Sequence, residues 1–530
     1  MNLWMLLEET ARRAPSAPAV VDGSTRLSYG ELRQRAAALA CAMAERGVSR
    51  GDRVAMLGVN SCRALELYFA CAALGAVLAP LNYRLAPPEI GFILQDSGAC
   101  GAVVDAEFAP LLREALGAES VLSWVFWSEP VAPGSREAFG GSDALQEVPY
   151  AQALESGREI ELVPTVIPAD APAHLYYTSG TTGRAKGVIL THRNVGYHAA
   201  GTIEELGLSS SDVWAHVAPM FHLADAWATF AITQVGGKHA IVPKFTVEGV
   251  FELLEHEGVT LTNLVPTMLN LLVKSPSAAG RRFPALRRIL SGGAPIAPEV
   301  VRAIVEVFGC EYVQTYGLTE TSPYLTFSLL DESQRLRSPE ERFRLSARTG
   351  RPARFVSVRV VDETGSDVPR DDQTVGEVIA SGPTVTPGYW NRPEETRAAL
   401  RNGWFHTGDL AVVDGDGFIQ IVDRKKDMIN SGGEKVYSVE VESALYSHPA
   451  VLEAAVFAMP DAVWGERVAA AVVLRVGAHA GERDLIDHCR ARLAHYKAPR
   501  EVHFVDELPK TGTGKIAKRL LRDRFSGGAS

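Results

Sequence analysis

Residues 174–195 read HLYYTSGTTGRAKGVILTHRNV, and this stretch is the most informative part of the chain. Two apolar β-like runs, HLYY and GVIL, stand on either side of a segment rich in Gly, Ser and Thr. Glycines let backbone amides turn toward an anion, hydroxyls add donors, and a lysine adds a point charge. We therefore predict a cradle for a polyphosphate, formed by Thr178, Ser179, Gly180, Thr181, Thr182, Gly183 and Lys186.

This loop differs from a Walker A loop. A Walker A loop ends in Gly-Lys-Ser/Thr and runs into a helix, whereas here Lys186 precedes Gly187 and a predicted strand. Thr191 is placed to cap the next helix, which we expect to continue through Asn194. An ordinary hairpin loop is the alternative interpretation, because Gly, Ser and Thr are default turn formers.

Helical and strand patterns alternate around this stretch. Residues 27–47 have helical periodicity and stop at a Gly, and residues 53–59 (RVAMLGV) are typical of a strand. The alternation repeats at GAVLAPLN and GACGAVVD. This rhythm predicts the α/β class, with a large N-terminal domain of several subdomains and mostly parallel sheets.

Two domains are expected, because 530 residues exceed the ~250–300 at which single cores stop growing. The segment VDRKKDMINSGGEKVYS at 422–438 places a charge cluster and a Gly pair between two periodic regions. We predict that residues 1–424 form the large domain and residues 425–530 a small C-terminal α+β domain. The charged residues 331–348 are interpreted as a surface excursion of the large domain.

The bulk properties exclude several classes of protein. A net charge of −10 argues against non-specific nucleic-acid binding, which needs a basic face. The six cysteines are scattered without a C-x-x-C pair or metal-ligand spacing, which favours a reducing compartment. The N-terminus is typical of an amphipathic helix, and the apolar run at 69–80 is far short of the ~20 residues of a membrane span. We expect a cytoplasmic protein without a transmembrane segment.

Further motifs follow the Gly-rich loop along the chain. They are SGGAP at 291–295, YGLTE at 316–320, GEVI at 376–379, GYWN at 388–391, WFHTGD at 404–409, DRKKDMI at 423–429 and PKTGTGKI at 509–516. In this order and spacing the chain resembles the adenylate-forming superfamily: acyl-CoA synthetases, adenylation domains of nonribosomal peptide synthetases, and firefly-type luciferases. The resemblance extends over at least residues 27–516.

The resemblance implies an adenine site. Gly293, Ala294 and Pro295 would form backbone walls around the base, and Tyr316, followed by Gly317, would offer its ring to it. A loop with little side-chain bulk lets a flat heterocycle approach the main chain. Standing alone, SGGAP would be a plain loop between a strand and a helix.

The same resemblance assigns the polar contacts of ATP. Thr319 would donate to the α-phosphate, and Glu320 would be the metal ligand that serves Mg²⁺, a hard ion that needs oxygen donors. Asp409 would accept from both ribose hydroxyls, and Arg424 would add a forked donor to ribose or phosphate. A lone Thr-Glu pair, or a lone Asp after Gly, is more often a loop or turn element.

Lys515 is implied to carry the first chemical step. The attacking carboxylate and the α-phosphate are both anionic, so the transition state accumulates negative charge that a positioned ammonium offsets. For Lys510 and Lys518 we expect the alternative, a solvated lysine near the C-terminus.

In the resembling family the small domain rotates between adenylation and thioester formation. Lys426 matches the hinge position, and Gly432, Gly433 and Glu434 match the loop that lines the pantetheine path of CoA. A rigid connecting strand is the alternative interpretation of this segment.

The acid is the least defined part of the interpretation. PMFH at 219–222 resembles the segment that gates the acyl pocket. The predicted pocket residues are His222, Trp227, Ala228, Val265, Met268 and Tyr324. Against this, Trp and Met at helical spacing are more often plain core.

The position after Phe221 narrows the substrate class. Relatives that activate amino acids usually have an Asp there, and this chain has His222, while Asp225 is three residues too late to substitute for it. We therefore expect a hydrophobic monocarboxylic acid: fatty, alicyclic or aryl. The departures from the family pattern are Asp423, where Gly often precedes the Arg, and Ser438, where Pro is frequent.

These inferences combine into an ATP-dependent acid:CoA ligase that forms an acyl-adenylate, releases pyrophosphate and transfers the acyl group to CoA. The alternative is a stand-alone adenylating enzyme that loads a carrier protein in trans. A nucleotide-binding regulator without catalysis is disfavoured by the intact set of Glu320, Asp409, Arg424 and Lys515.

Overall fold

The structure is a computed structural model that describes residues 2–116, 122–131, 145–163, 166–178, 185–510 and 516–526. Its contacts divide the chain into two compact units. The first unit comprises Met1–Ser357 and Ala380–Phe405, and the second comprises Val358–Ile379 and His406–Ser530. The second unit therefore includes residues on the N-terminal side of position 424, and a domain boundary at 424/425 stays a prediction.

Up to residue 352 the chain forms helices and strands in alternation. The helices are α1 Trp4–Arg13, α2 Tyr29–Ala44, α3 Cys62–Leu74, α4 Pro87–Ser97, α5 Ala109–Leu116, α6 Tyr150–Arg158, α7 His192–Leu206, α8 Leu223–Val235, α9 Val247–His256, α10 Pro266–Lys274, α11 Pro298–Phe308, α12 Glu332–Arg335 and α13 Pro339–Ala347. The strands are β1 Pro18–Asp22, β2 Thr25–Ser28, β3 Arg53–Leu57, β4 Val77–Pro80, β5 Ala99–Val104, β6 Trp124–Trp127, β7 Gln146–Pro149, β8 Pro172–Thr178, β9 Lys186–Thr191, β10 Val213–His216, β11 Lys238–Ile241, β12 Leu261–Asn263, β13 Arg288–Ser291, β14 Glu311–Gly317, β15 Tyr324–Phe327 and β16 Arg351–Pro352.

The remaining residues contribute shorter helices and more antiparallel strands. The helices are α14 Pro393–Ala399, α15 Ser438–Tyr446, α16 Glu482–Arg490 and α17 Lys518–Ser526. The strands are β17 Ser357–Val361, β18 Gly376–Ser381, β19 Leu400–Arg401, β20 Trp404–Val413, β21 Ile419–Arg424, β22 Ile429–Ser431, β23 Glu434–Val436, β24 Val451–Asp461, β25 Gly465–Leu474 and β26 Glu501–Phe504.

Two large sheets organise the first unit. One has the strand order β7-β6-β5-β3-β4-β8-β9, and the other has the order β16-β15-β14-β13-β12-β10-β11-β1-β2. Most neighbours are parallel; the β8–β9, β1–β2, β14–β15 and β15–β16 pairs are antiparallel. Parallel strands are covered by helices on both faces, which explains why strands such as β4 and β6 are apolar throughout and fully buried. The predicted α/β class is confirmed.

Two smaller sheets follow. One has the order β17-β18-β20-β19, with β21 paired to β20, and the other has the order β23-β22-β25-β24, with β26 paired to β25. The core of the second sheet lies between α15, α16 and the long β24–β25 hairpin, and its fully buried members include Val441, Val456 and Ala470.

Local sequence signals position several helices. Ser28 caps α2 through a reciprocal pair of hydrogen bonds with Glu31, which confirms the helix predicted within residues 27–47. Thr191 caps α7 in the same way with Asn194, also as predicted. The charged residues 331–348 form α12 and α13, and most of their side chains are exposed or half-buried.

Candidate active site

Two loops at the same edge of a sheet carry the predicted adenine contacts. β13 and β14 are parallel neighbours, so the loops that follow them leave from the same edge. Gly293 has φ +84°, and Gly293, Ala294 and Pro295 are exposed. Gln314 holds the loop by donating from Nε2 to the Ala294 carbonyl at 2.9 Å. The backbone of this loop is thus exposed, and its role as a wall of an adenine site stays a prediction.

The second loop begins with Tyr316 and Gly317 at the end of β14, both half-buried. A Cβ on Gly317 would lie 1.8 Å from the carbonyl oxygen of Pro323, so this position requires glycine. The close approach turns the chain directly into a short 3₁₀ helix, Thr319–Thr321.

Glu320 lies within that turn and is 9% exposed. Its Oε1 accepts a 2.9 Å hydrogen bond from the hydroxyl of Tyr389, and its carbonyl accepts one of 2.8 Å from the Thr386 amide. Burial, followed by the Glu320 carboxylate, raises the pKa of Tyr389 well above its usual value. Tyr389 therefore stays protonated and acts as a donor to Glu320.

The segment that carries Tyr389 lies along β9. Trp390 donates its amide to the Gly187 carbonyl at 2.7 Å, and the Ile189 amide donates to Gly388 at 3.1 Å. Lys186 begins β9 opposite Thr178 of β8, and its Nζ lies 5.5 Å from the centroid of the Tyr389 ring. One aromatic side chain thus links the base of the predicted phosphate loop to Glu320. Of that loop, Ser179, Gly180, Thr181, Thr182 and Gly183 lie outside the described residues.

Asp96 of α4 anchors the same segment. Its Oδ2 accepts from the Tyr177 hydroxyl at 2.8 Å and its Oδ1 from Arg392 at 2.6 Å, while its carbonyl accepts from Trp390 Nε1 at 3.0 Å. The family resemblance includes GYWN at 388–391 but implies no role for Tyr389, and none of the sequence motifs includes Asp96. The aromatic pair Tyr389-Trp390 between a Gly and an Asn is a local signal that could have identified Tyr389, whereas no local signal identifies Asp96.

In the second unit, Asp409 and Arg424 form an ion pair. They face each other on β20 and β21, with Arg424 Nε 2.9 Å from Asp409 Oδ1. Asp409 is 3% exposed, whereas the Arg424 side chain is 45% exposed. Asp409 is predicted to bind the ribose hydroxyls and Arg424 to bind ribose or phosphate; in this structure the two side chains form one ion pair.

Trp227 and Tyr324 come together among the predicted acyl-pocket residues. Trp227 Nε1 donates to the Tyr324 hydroxyl at 3.0 Å, and the Tyr324 amide donates to His198 Nε2 at 3.2 Å. Both Trp227 Nε1 and the Tyr324 hydroxyl also lie within hydrogen-bond distance of the Ala224 carbonyl. Burial lowers the pKa of His198 to about 3, so its imidazole is neutral.

The other predicted pocket residues have different surroundings. His222 precedes α8 and packs its ring 4.5 Å from that of Phe221, and Ala228 is fully buried in the same helix. Met268 belongs to a core cluster, against which Val265 packs, and this arrangement matches the plain-core interpretation.

Asp225 is engaged elsewhere. Its Oδ2 lies 2.5 Å from His216 Nδ1, its Oδ1 accepts from Trp214 Nε1 at 3.2 Å, and both members of the Asp–His pair are 0% exposed. The His216 ring continues to His239 at 2.9 Å. This buried chain of bonds leaves the Asp225 carboxylate inside the core.

The predicted CoA loop is a tight hairpin. Gly432 and Gly433 connect β22 to β23 with φ +64° and +90°, and Glu434 begins β23 as an exposed residue. The Gly432 amide donates to the Trp464 carbonyl at 2.8 Å. Position 432 favours glycine for two reasons. Its φ is positive, and a Cβ there would lie 2.3 Å from Trp464 Cε3. Lys426 is exposed in the preceding turn.

Lys515 lies outside the described residues. Lys518, three positions later, does not have the solvated environment expected for it. Its side chain is 16% exposed, and its Nζ lies 2.7 Å from Glu442 Oε1 and 2.5 Å from Ser438 Oγ. The expectation of a solvated lysine is wrong because an acidic partner 76 positions earlier in the chain is buried beside it. Lys510, 40% exposed and paired with Glu453, remains at the surface.

The described residues contain no group of three or more His, Cys, Asp or Glu side chains arranged to hold a metal ion. Among the same residues, no helix has the length and apolar character required to cross a membrane.

Comparison with known proteins gives matches over nearly the whole chain. Feruloyl-CoA synthase of an Amycolatopsis species is 39% identical over 517 residues, covering 97% of each chain. The long-chain-fatty-acid–CoA ligase of Thermus thermophilus is also 39% identical, covering 99% of this chain and 96% of the relative. A fatty acid–[acyl-carrier-protein] ligase, ScoC of Streptomyces coeruleorubidus, is 34% identical, covering 98% of this chain and 95% of the relative.

Solved structures have the same fold. ATP-bound MatB from Rhodopseudomonas palustris matches with a TM-score of 0.85 at 30% identity, covering 99% of both chains. The o-succinylbenzoate CoA synthetase MenE of Bacillus subtilis, in complex with ATP and magnesium ion, matches with a TM-score of 0.81 at 28% identity, covering 98% of both.

Residues 7–390 match the AMP-binding enzyme family, and residues 440–515 match the C-terminal domain of AMP-binding enzymes. The resemblance inferred from the motifs is thereby confirmed, and the chain belongs to the AMP-binding enzyme family.

Proposed function

We propose that the chain is an acyl-CoA synthetase. It activates a hydrophobic monocarboxylic acid with ATP to an acyl-adenylate and pyrophosphate, and then transfers the acyl group to CoA, releasing AMP. The observation that carries this proposal is the Lys186–Tyr389–Glu320 junction, which links a cation, an aromatic donor and a buried carboxylate at the base of a Gly-rich loop.

The donor set at Glu320 fits Mg²⁺. Mg²⁺ is usually held by one or two carboxylates and by substrate phosphates, so a multi-carboxylate cage is not expected. Glu320 offers an oriented, largely buried carboxylate that is bonded to Tyr389, whose ring lies 5.5 Å from the Lys186 ammonium. When bound, Mg²⁺ would neutralise phosphate charge. Tyr389 restricts how the Glu320 carboxylate turns, and Thr319 supplies a hydroxyl at the same turn.

In the first half-reaction, a carboxylate oxygen of the acid attacks the α-phosphorus of ATP. The bond from that phosphorus to the bridging oxygen breaks, and pyrophosphate leaves with the electron pair. Asp409 and Arg424 hold the ribose side of the nucleotide, and Lys515 supplies positive charge where negative charge accumulates. No proton transfer is required in this step.

In the second half-reaction, the sulfur of CoA attacks the acyl carbonyl carbon. The bond from that carbon to the phosphate oxygen breaks, AMP leaves, and the thiol proton passes to solvent. The hairpin of Gly432, Gly433 and Glu434 lines the path of the pantetheine arm. The small domain, residues 425–530, turns about Lys426 between the two steps.

The acid is a fatty, alicyclic or aryl monocarboxylate. Two relatives act on such acids by name, a feruloyl-CoA synthase and a long-chain-fatty-acid–CoA ligase. The predicted acyl segment supports the same class, because Trp227, Ala228 and Tyr324 are buried and uncharged, and the polar atoms of the Trp227 and Tyr324 side chains bond to each other and to the Ala224 carbonyl. We place the reaction in the cytoplasm, since all six cysteines are free thiols.

The test is a panel of fatty, alicyclic and aryl acids, scored by acid-dependent pyrophosphate release with and without CoA. We expect release with at least one acid of this class and formation of its CoA thioester. Release without thioester formation would favour the second candidate, a carrier-protein ligase, a function that the relative ScoC has by name. No release with any acid of the panel would refute the proposal.

A further inference from the structure

A buried cluster of four side chains joins three segments of the second unit. Asp423 lies at the end of β21, Ser438 and Glu442 lie in the first turns of α15, and Lys518 begins α17. Asp423 is 3% exposed and Ser438 is 0% exposed. We call these four residues the Asp423 cluster.

The Asp423 carboxylate is the centre of the cluster. Its Oδ2 accepts from the Ser438 amide at 2.5 Å, and its Oδ1 accepts from the Ser438 hydroxyl at 2.9 Å. The same Oδ1 accepts from the backbone amide of Arg424 at 2.7 Å. Hydrogen bonds to an ionised carboxylate are shorter and stronger than neutral ones. The Asp423 carboxylate therefore holds the backbone amides of both Arg424 and Ser438.

Lys518 completes the hydrogen-bond chain. Its ammonium donates to Ser438 Oγ at 2.5 Å, which leaves the hydroxyl proton of Ser438 directed at Asp423, and it forms an ion pair of 2.7 Å with Glu442. Burial raises the pKa of Asp423 and of Glu442, and Lys518 opposes the shift in both. The ammonium therefore stabilises both carboxylates in their ionised, accepting forms.

The two departures from the family pattern meet in this cluster. A proline at position 438, the frequent family residue, has neither an amide proton nor a hydroxyl, and a glycine at 423 has no carboxylate. Asp423 and Ser438 connect β21 to α15 through the Asp carboxylate and the amide and hydroxyl of the Ser, and this connection spans the turn that contains Lys426.

Arg424 is the residue that the connection restrains. Its amide is bound by Asp423, and its guanidinium pairs with Asp409 at 2.9 Å. Resting on the proposed function, in which Arg424 contacts the nucleotide, we propose that Asp423 is a positioning residue for Arg424 and that Ser438 and Lys518 hold Asp423 in place. The cluster then sets the affinity for ATP without touching the acid.

Asp423→Asn is the most direct variant. The amide nitrogen of Asn would face the Ser438 amide in one orientation and the Arg424 amide in the other, so a donor meets a donor in either case. Lys518→Met removes the ammonium at similar length, and Lys518→Arg is the conservative rescue. Lys497→Met is the matched control. Lys497 pairs at 2.8 Å with Glu440, which lies in α15 like Ser438 and Glu442, but among the described residues it has no hydrogen bond or ion pair with a member of the cluster.

The readouts are equilibrium binding of ATP and the Michaelis constants for ATP and acid in pyrophosphate release. We expect Asp423→Asn and Lys518→Met to weaken ATP binding and raise KM for ATP about tenfold, with KM for the acid changed less than about twofold. Lys518→Arg and Lys497→Met should retain the wild-type constants. Thermal unfolding of each variant is measured in parallel, and Ser438→Ala, which removes only the hydroxyl, replaces any variant that fails to fold.

The outcomes separate the two proposals. A wild-type protein that binds no ATP and activates no acid overturns the proposed function. An active wild type whose folded cluster variants keep their ATP constants, or lose ATP and acid affinity equally, overturns the positioning role. A selective rise in KM for ATP that Lys518→Arg restores supports it.

Discussion

The hydroxyl of Tyr389 donates a 2.9 Å hydrogen bond to Glu320, and the ring of the same tyrosine lies 5.5 Å from the ammonium of Lys186. A carboxylate and a cation on different segments are thus related through one aromatic side chain. The hydrogen bond restricts the orientation of the Glu320 carboxylate, and the cation–π contact with the ring favours the observed position of the Lys186 ammonium.

Tyr389→Phe removes the hydroxyl and keeps the ring. If Glu320 binds Mg²⁺, loss of the orienting hydrogen bond should raise the Mg²⁺ concentration for half-maximal adenylation about tenfold. A Mg²⁺ titration of pyrophosphate release measures this shift. Tyr177→Phe, which loses a hydrogen bond to Asp96, is the control and should leave the Mg²⁺ requirement unchanged. A Mg²⁺ requirement of Tyr389→Phe equal to that of the wild type would contradict the orientation of a Mg²⁺-binding Glu320 by Tyr389.

Lys515→Ala should lower the rate of adenylate formation by about 10²–10³, the loss typical of a single donor in an electrostatic site. Pyrophosphate release in single turnover measures the step. Lys510→Ala is the control, since Lys510 is surface-exposed and paired with Glu453, and its rate should stay near that of the wild type. Adenylate formation at the wild-type rate in Lys515→Ala would remove this residue from the mechanism.

Lys426→Pro should impair thioester formation far more than adenylate formation, because proline fixes φ at the proposed hinge and restricts Lys425 before it. The two half-reactions are measured separately, the second from preformed acyl-adenylate. Lys426→Ala removes the lysine side chain but does not restrict the backbone, so it should affect both half-reactions only slightly. Equal losses of the two half-reactions in Lys426→Pro would count against a hinge.

Gly432→Ala should destabilise the second unit and raise KM for CoA. A Cβ at this position would lie 2.3 Å from the Trp464 ring, and overpacking of this kind costs about 1–3 kcal/mol. Gly477→Ala is the control: it has a similar φ of +76°, and nothing lies within 4 Å of the added Cβ. Urea unfolding of the two variants isolates the clash from the backbone penalty. Equal stability of both would show that Trp464 moves aside freely.

His198→Gln should flatten the pH dependence of stability. The pKa of His198 is lowered by burial from 6.5 to about 3, so the unfolded chain binds more protons and stability is lost as pH falls below 6.5. This loss amounts to about 1.4 kcal/mol per pH unit. Gln keeps an acceptor for the Tyr324 amide but does not titrate. Unfolding free energies from pH 7.5 to 5 check the difference, and parallel curves for the two proteins would refute it.

The sequence predicted those features that depend on nearby residues or on ordered motifs. The predicted cap at Thr191 has its partner three positions away and α7 begins at the next residue, and the helix predicted within residues 27–47 is found at Tyr29–Ala44. The family and the α/β class follow from motif order and from the alternation of apolar runs. Caps, motif order and apolar alternation depend on residues close together in the sequence or on their order, so they can be identified without knowing which distant segments come into contact.

Long-range polar partners were beyond the sequence. Tyr389 and Glu320 are 69 positions apart, Arg392 and Asp96 are 296 apart, and nothing in the local pattern of either pair identifies the other member. Lys518 was mistaken for a surface lysine for the same reason. Its burial depends on Glu442, which the packing of α15 against β24 places beside it.

The location of Asp225 limits how this scaffold can change its choice of acid. The Asp225 carboxylate is fully buried and already engaged by an indole and an imidazole, so α8 offers no exposed anion that could pair with the α-ammonium group of an amino acid. Under the proposed function, in which position 222 lines the acyl pocket, accepting an amino acid would require a new acidic side chain at position 222, while the buried Asp225–His216 pair is left intact as part of the core.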